Sequence, residues 1–170
     1  MSLIQWLRSK SAAKTEPKKR TFAADIDDEL DYFCLRKGSL EGEIHWLVAP
    51  LSVSLFPEEN ASMDYGRSTQ RLKVIAGDAE EWDRRLKTFA ADQMADARGL
   101  IAVWGSEDTG EKPGEVTKEV FMQRIAPGFL WVYPDGSLYF NYDADGMFTD
   151  HAIGFTVDAQ NRIQNCRLEG

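Results

Sequence analysis

Apolar and polar side chains alternate along both ends of the chain, and a stripe with a period of three to four occupies its middle. In the last third, four short runs rich in aromatic and branched residues predict strands over Phe129–Tyr133, Ser137–Tyr142, Ala152–Val157 and Arg162–Leu168. Pro134-Asp135-Gly136 joins the first pair, proline presetting one corner of the turn and glycine taking the left-handed one. Asp158-Ala159-Gln160-Asn161 joins the second pair, and an acidic loop from Asp143 to His151 separates the two hairpins. Nearer the start, Tyr32–Lys37 and Glu43–Ala49 predict a hairpin about a turn at Gly38–Gly42. Alternation there sets Ile44, Trp46 and Val48 on one face and Glu43, His45 and Leu47 on the other. Pro50 breaks the pattern, so Leu51–Phe56 reads as a separate strand or as a bent continuation near an edge.

The middle of the chain is helical by its period. Residues 57–67 form a polar loop, and Arg71–Ile75 reads as one more short strand ended by Gly77. Asp78, with Glu81 three positions on, predicts a capping box. Trp82, Leu86, Phe89, Ala90, Met94 and Ala97 then recur at helical spacing; Gly99 interrupts, and Leu100–Trp104 fits either a short strand or, as the preferred reading, a resumed helix that carries the stripe on to Leu100, Ile101 and Trp104. After a charged loop at Gly105–Gly114, Thr117 predicts the N-cap of a helix over Lys118–Ile125, with Val116 and Phe121 as a hydrophobic staple. Strands, then helices, then strands give an α+β fold. The expected architecture is a mostly antiparallel sheet ending in a four-strand meander, with two or three helices covering one face through Trp82, Phe89 and Phe121.

A chain of 170 residues is most simply one domain, and it buries enough surface to need no disulfide or metal. The expected division is a flexible basic arm over residues 1–22 and a single α+β domain over 23–170. Ser2–Lys10 fits a two-turn amphipathic helix, too short for a signal peptide; it reads as a membrane-surface foot, a docking peptide or a frayed tail. No apolar run approaches the roughly 20 residues of a membrane span. Two cysteines, Cys34 and Cys166, point to free, buried thiols and a cytoplasmic location, with pairing across adjacent strands as the open alternative.

Charge changes the picture more. Net charge is −8, but residues 1–20 carry six basic groups against Glu16 alone, leaving 14 basic and 27 acidic groups on the rest. Such a body repels nucleic acid and anionic membrane and attracts a basic protein partner. The aromatic run Phe129–Tyr142 has no basic residue near it to draw in a nucleic acid, so it reads as core.

Asp143, Asp145, Asp150 and His151 form the one cluster resembling a site. Asp-x-Asp-Gly lacks the ligand spacing of an EF-hand loop. A carboxylate–imidazole set also suits zinc or acid–base chemistry, giving a metal-assisted hydrolase as one reading. The preferred reading is a binding surface with no cofactor, its aspartates making turns and its histidine fixing the start of a strand. No nucleophile elbow, phosphate loop, dinucleotide fingerprint or paired-cysteine motif occurs.

Several of these features together resemble the bacterial domain-of-unknown-function family 2262 (DUF2262) over roughly residues 30–170. They are Glu81-Trp82, Trp104, Thr117 with Phe121, Pro134-Asp135-Gly136, and Met147-Phe148 with His151. Members usually read Phe-Trp-Gly-His at the acidic loop, where this chain has Phe148-Thr149-Asp150-His151 and so gains a carboxylate. The resemblance implies a small protein encoded near toxins, and hence an immunity role for the acidic surface.

Overall fold

The computed structural model of the chain describes residues 26–58, 63–105, 110 and 112–170. The expected arm over 1–22 lies outside the described residues, as do residues 106–109 and 111 of the charged loop. The elements run in the order α1 (Ile26–Leu30), β1 (Cys34–Arg36), β2 (Ser39–Trp46), β3 (Ala49–Leu55), α2 (Gly66–Gly77), α3 (Ala79–Met94), β4 (Leu100–Val103). They continue with β5 (Gly114–Thr117), α4 (Lys118–Arg124), β6 (Ala126–Val132), β7 (Leu138–Asp143), β8 (Ala152–Val157) and β9 (Ile163–Glu169). Seven strands form one sheet in the order β1-β2-β3-β6-β7-β8-β9, and β4 pairs with β5 as a separate ribbon. The fold is α+β, and β6 to β9 form the expected antiparallel meander.

Among the named strands the one parallel pair, β3 with β6, sets the layering. A parallel partner has to be reached by a crossover, and here the crossover carries α2, α3, the β4–β5 ribbon and α4. Their apolar residues Leu72, Ile75, Trp82, Leu86, Ile101 and Phe121 are buried with Ile44, Leu51, Leu130, Phe140 and Phe155 of the sheet in one core. Across this core the phenol of buried Tyr142 donates to Asp83 of α3 at 2.9 Å, and Lys87 sits 3.1 Å from the same carboxylate. Phe89, expected in the core, is half-buried and instead lines a surface depression beside Arg85 and Ile163.

Pro50 is accommodated inside a strand because nothing asks it to donate. It faces His45 of β2, whose own amide points outward to Glu29 at 2.9 and 2.8 Å, and the β3–β6 ladder begins only at Ser52. Trp46 pairs with Ala49, so Leu47 (φ 54°) and Val48 form the turn; Val48 is exposed and does not join Ile44 and Trp46.

Three local expectations are overturned. Arg71–Ile75 is not a strand but part of α2, where Ser68, Leu72 and Ile75 are buried at helical spacing. The capping box is absent: Asp78 accepts from Trp82 through its backbone carbonyl, while Glu81 turns to Arg84 at 2.7 Å. The long helix stops at Met94. Asp96 accepts from the amides of Arg98 and Leu100 at 2.8 and 3.1 Å, Gly99 takes φ 76°, and Leu100–Val103 leaves as a strand with Ile101 and Val103 inward. The Thr117 cap holds, its hydroxyl accepting from Val120 at 3.3 Å. Cys34 is exposed on β1 and Cys166 lies on β9, at opposite edges of the sheet, so the two thiols are free.

Candidate functional site

The acidic loop is built inside out. Ala144, Met147 and Phe148 are buried and anchor it, and the backbones of Trp104 and Gly105 bind the Met147 carbonyl at 2.8 and 3.2 Å. With its apolar members inward, the loop turns its carboxylates to solvent. Asp143 accepts from the Asp145 amide at 2.6 Å in an Asx turn. Asp145 takes the left-handed conformation (φ 50°) and is held by Arg124 of α4, whose guanidinium reaches its carboxylate and its carbonyl at 2.8 Å each. Asp150 and His151 are 3.3 Å apart, with the Thr149 hydroxyl 3.0 Å from the imidazole Nδ1. The Asp150 carboxyl lies below the usual range because its own backbone amide, then Thr149 and the His151 ring, favour the charged form. The His151 ring also meets Trp104 edge-on, centroids 5.6 Å apart.

The four predicted residues therefore share one rim, but each is engaged by its own partner, Asp145 by Arg124 of α4 and the others within the loop. Together with Gly128, Asn141 and Ala152 they line an open depression of about 480 Å³. Among the described residues, no three carboxylate, imidazole or thiol groups are placed to hold a metal ion. No described helix is long and apolar enough to cross a membrane.

Asn141 ties this depression to a larger surface. Strand register places two rows across the sheet face opposite the core. One runs Glu43, Ser52, Phe129, Asn141, Gly154, Arg167; the other runs Glu41, Ser54, Trp131, Tyr139, Thr156, Asn165. Phe129, Trp131 and Tyr139 pack against one another with centroids 5.1 to 5.8 Å apart. Phe56 meets Trp131 edge-on and stacks on Tyr133 at 4.9 Å, extending the ridge to five rings. Trp131 remains 37% exposed, although it sits at the centre of the sheet.

Carboxylates surround the ridge. Glu41 and Glu43 lie on β2, Asp143 ends β7, and Glu169 on β9 accepts from the phenol of Tyr139 and from Arg167. Burial alone would raise the Glu169 carboxyl, but those two donors bring it below its ordinary value. A Cβ at Gly154 would stand 2.6 Å from the Glu169 carboxyl and 2.7 Å from the Tyr139 oxygen, so these two side-chain ends would have to shift to admit one. The only lysines or arginines within the seven strands are Arg36 and Arg167, and Arg167 is already paired.

The aromatic run was expected to be core throughout; half of it is. Leu130, Val132, Leu138, Phe140 and Tyr142 point inward, while Phe129, Trp131 and Tyr139 point outward. The signal was present in β6 itself, where every aromatic falls on odd positions and every aliphatic on even ones.

A family model described as "Uncharacterized protein conserved in bacteria (DUF2262)" matches residues 27–168. No curated protein and no solved structure matches the chain.

Proposed function

The chain belongs to the bacterial family DUF2262, and from that premise we propose that it is a non-catalytic acidic domain that docks a basic protein partner. The observation that carries this reading is the Phe129–Trp131–Tyr139 ridge, held on a sheet face that no described helix packs against and bordered by Glu41, Glu43, Asp143 and Glu169. Aromatic rings fixed by a sheet offer large contact area at little entropic cost, and interface hot spots are enriched in tryptophan and tyrosine. Arginine and lysine side chains are attracted both to ring faces and to the surrounding carboxylates, whose field speeds encounter. The rim Asp143, Asp145, Asp150 and His151 forms one end of this surface.

The family resemblance adds a specific version, in which the partner is a toxin encoded nearby and this protein is its immunity factor. A metal-assisted hydrolase at the same four residues has less support, because Asp145 is engaged by Arg124 and Asp143 by a backbone amide.

Co-expression with each neighbouring gene product, followed by co-purification and titration, tests the reading. A saturable complex with a basic product is expected. Trp131→Ala should weaken it roughly thirtyfold, the size of a hot-spot truncation, and Glu43→Lys should slow association. A complex indifferent to both substitutions, or no saturable complex with any neighbour, overturns the proposal.

A further inference from the structure

The open face is corrugated, and its relief repeats every two residues. Across β2, β3 and β6 the register aligns Glu43 with Ser52 and Phe129, and Glu41 with Ser54 and Trp131. Each row runs from a carboxylate through a serine to an aromatic ring. The short serines leave a trough along β3, walled by Glu41 and Glu43 on one side and by Phe129 and Trp131 on the other. Its floor and acidic wall line an open depression of about 430 Å³. We propose that this trough takes an extended segment of the basic partner that carries Arg-x-Arg, each guanidinium set between a carboxylate and a ring. The inference rests on the docking reading above and names the residues through which the partner makes contact.

Dimensions and charge together select this occupant. β3 lies one strand spacing, about 5 Å, from either wall. A cation above it is inside the roughly 6 Å over which a ring face attracts it, with the carboxylate on its other side. The protein already makes one contact of this kind, the Arg85 guanidinium standing 4.6 Å from the centroid of the Trp82 ring. Arginine suits the trough better than lysine, because its planar cation stacks on a ring while its N–H fork reaches a carboxylate. The two rows are two residues apart on every strand, about 7 Å. An extended segment sets alternate side chains on one side at that same spacing, so Arg-x-Arg fills both rows, whereas adjacent arginines point to opposite sides. The carboxylates are open to a partner. Glu41 uses one oxygen to accept from the Ser39 hydroxyl at 3.0 Å, and among the described residues no lysine or arginine pairs with Glu41 or Glu43. Arg36 lies opposite Ser39, one row beyond Glu41 and farther still from Glu43.

The test titrates three short threonine-rich peptides into the whole 170-residue chain and follows its amide and indole N–H resonances. One peptide carries Arg-x-Arg, the second Lys-x-Lys and the third two adjacent arginines. The first is expected to shift Ser52, Ser54 and the Trp131 indole saturably, and the other two to bind roughly fivefold more weakly. Glu43→Gln should weaken the Arg-x-Arg peptide by a similar factor. Ser54→Leu, which fills the trough without altering charge, should abolish its shifts. Unmoved resonances of core Trp46 and Trp82 report an intact fold in each variant, and Glu43→Gln carries the test alone if Ser54→Leu does not fold. Equal affinity for the three peptides, no saturable shift, or shifts confined to the 143–151 rim overturns the proposal. So does binding that survives Glu43→Gln unchanged. The two readings fail separately: if Trp131→Ala abolishes capture of a co-expressed partner but the peptides show no preference, only the trough proposal falls. If capture survives Trp131→Ala, the docking surface itself is wrong.

Discussion

Tyr142 and Asp83 join the sheet to the helical layer through a single hydrogen bond of 2.9 Å, made by a fully buried phenol. A bond to a charged acceptor contributes about 1.5–3 kcal/mol. Tyr142→Phe should therefore lower unfolding free energy by about 1.5 kcal/mol in a urea titration, the lower end because Lys87 still pairs with Asp83. Asp83→Ala should cost more, since it leaves the phenol without its acceptor. Burial first, and then the neighbouring Asp83 charge, raise the Tyr142 phenol above its ordinary value. A folded-state value above the unfolded one of about 10 gives stability that is complete below that pH and lost as pH rises past it. The natural protein should lose stability above pH 10 more steeply than Tyr142→Phe does.

Trp46 and Trp131 face opposite sides of the same sheet, and they should respond differently to the same truncation. Trp46 is 1% exposed and packs on Phe140 at 5.9 Å. Trp46→Ala should cost about 3–5 kcal/mol, the range for emptying a buried aromatic site. Trp131→Ala removes ring contacts from a side chain that is 37% exposed and leaves no buried cavity, and should cost about 1 kcal/mol. Comparable losses in chemical denaturation would mean that the ridge is structural, and the case for a docking surface would weaken.

Much of this layout was legible because alternation is a direct print of strand burial. The meander, the Pro134-Asp135-Gly136 turn and the Thr117 cap each depend on neighbours within a few residues, so the sequence alone carries them. The parallel β3–β6 pairing does not: Ser52 meets Phe129 across more than seventy residues, and nothing local announces it. The same holds for the open face, since exposure of Trp131 depends on which side the crossover covers. Leu100–Val103 failed for a different reason. Its apolar residues fit the helical stripe equally well, and the decision fell to Asp96 and Gly99, which close the turn before it. In the acidic loop the residue types were legible, but their partners were not, because Arg124 reaches Asp145 from another element.

The two cysteines should behave as unrelated thiols. Cys34 and Cys166 lie on the edge strands of a seven-stranded sheet, six spacings or about 29 Å apart, far beyond the roughly 7 Å that a disulfide tolerates. Burial pushes the Cys166 thiol up to about 11, so at pH 8 it holds almost no thiolate, while Cys34 is exposed. One thiol per native chain should react rapidly with a disulfide reagent, and Cys34→Ser should remove that phase. Two equally fast thiols, or an intramolecular disulfide under mild oxidation, would contradict the placement of β1 and β9.

Divalent cations provide the last comparison. A metal bound at a hundred times its dissociation constant adds about 2.7 kcal/mol of stability, and in a domain of this size that raises Tm by roughly 5–10 °C. In this loop the Asp143 carboxylate accepts from a backbone amide, Asp145 faces Arg124, and Asp150 pairs with His151, so their oxygens do not converge. Calcium, manganese and zinc should each leave Tm unmoved. Asp145→Asn should cost less than about 1 kcal/mol, because the carboxylate it neutralises is largely exposed and asparagine tolerates the left-handed backbone at this position. Asp145→Val should cost distinctly more, since a branched side chain resists φ of 50°. A metal-dependent rise in Tm that Asp145→Asn abolishes would instead require the loop to rearrange around an ion, and would move the hydrolase reading ahead of the docking one.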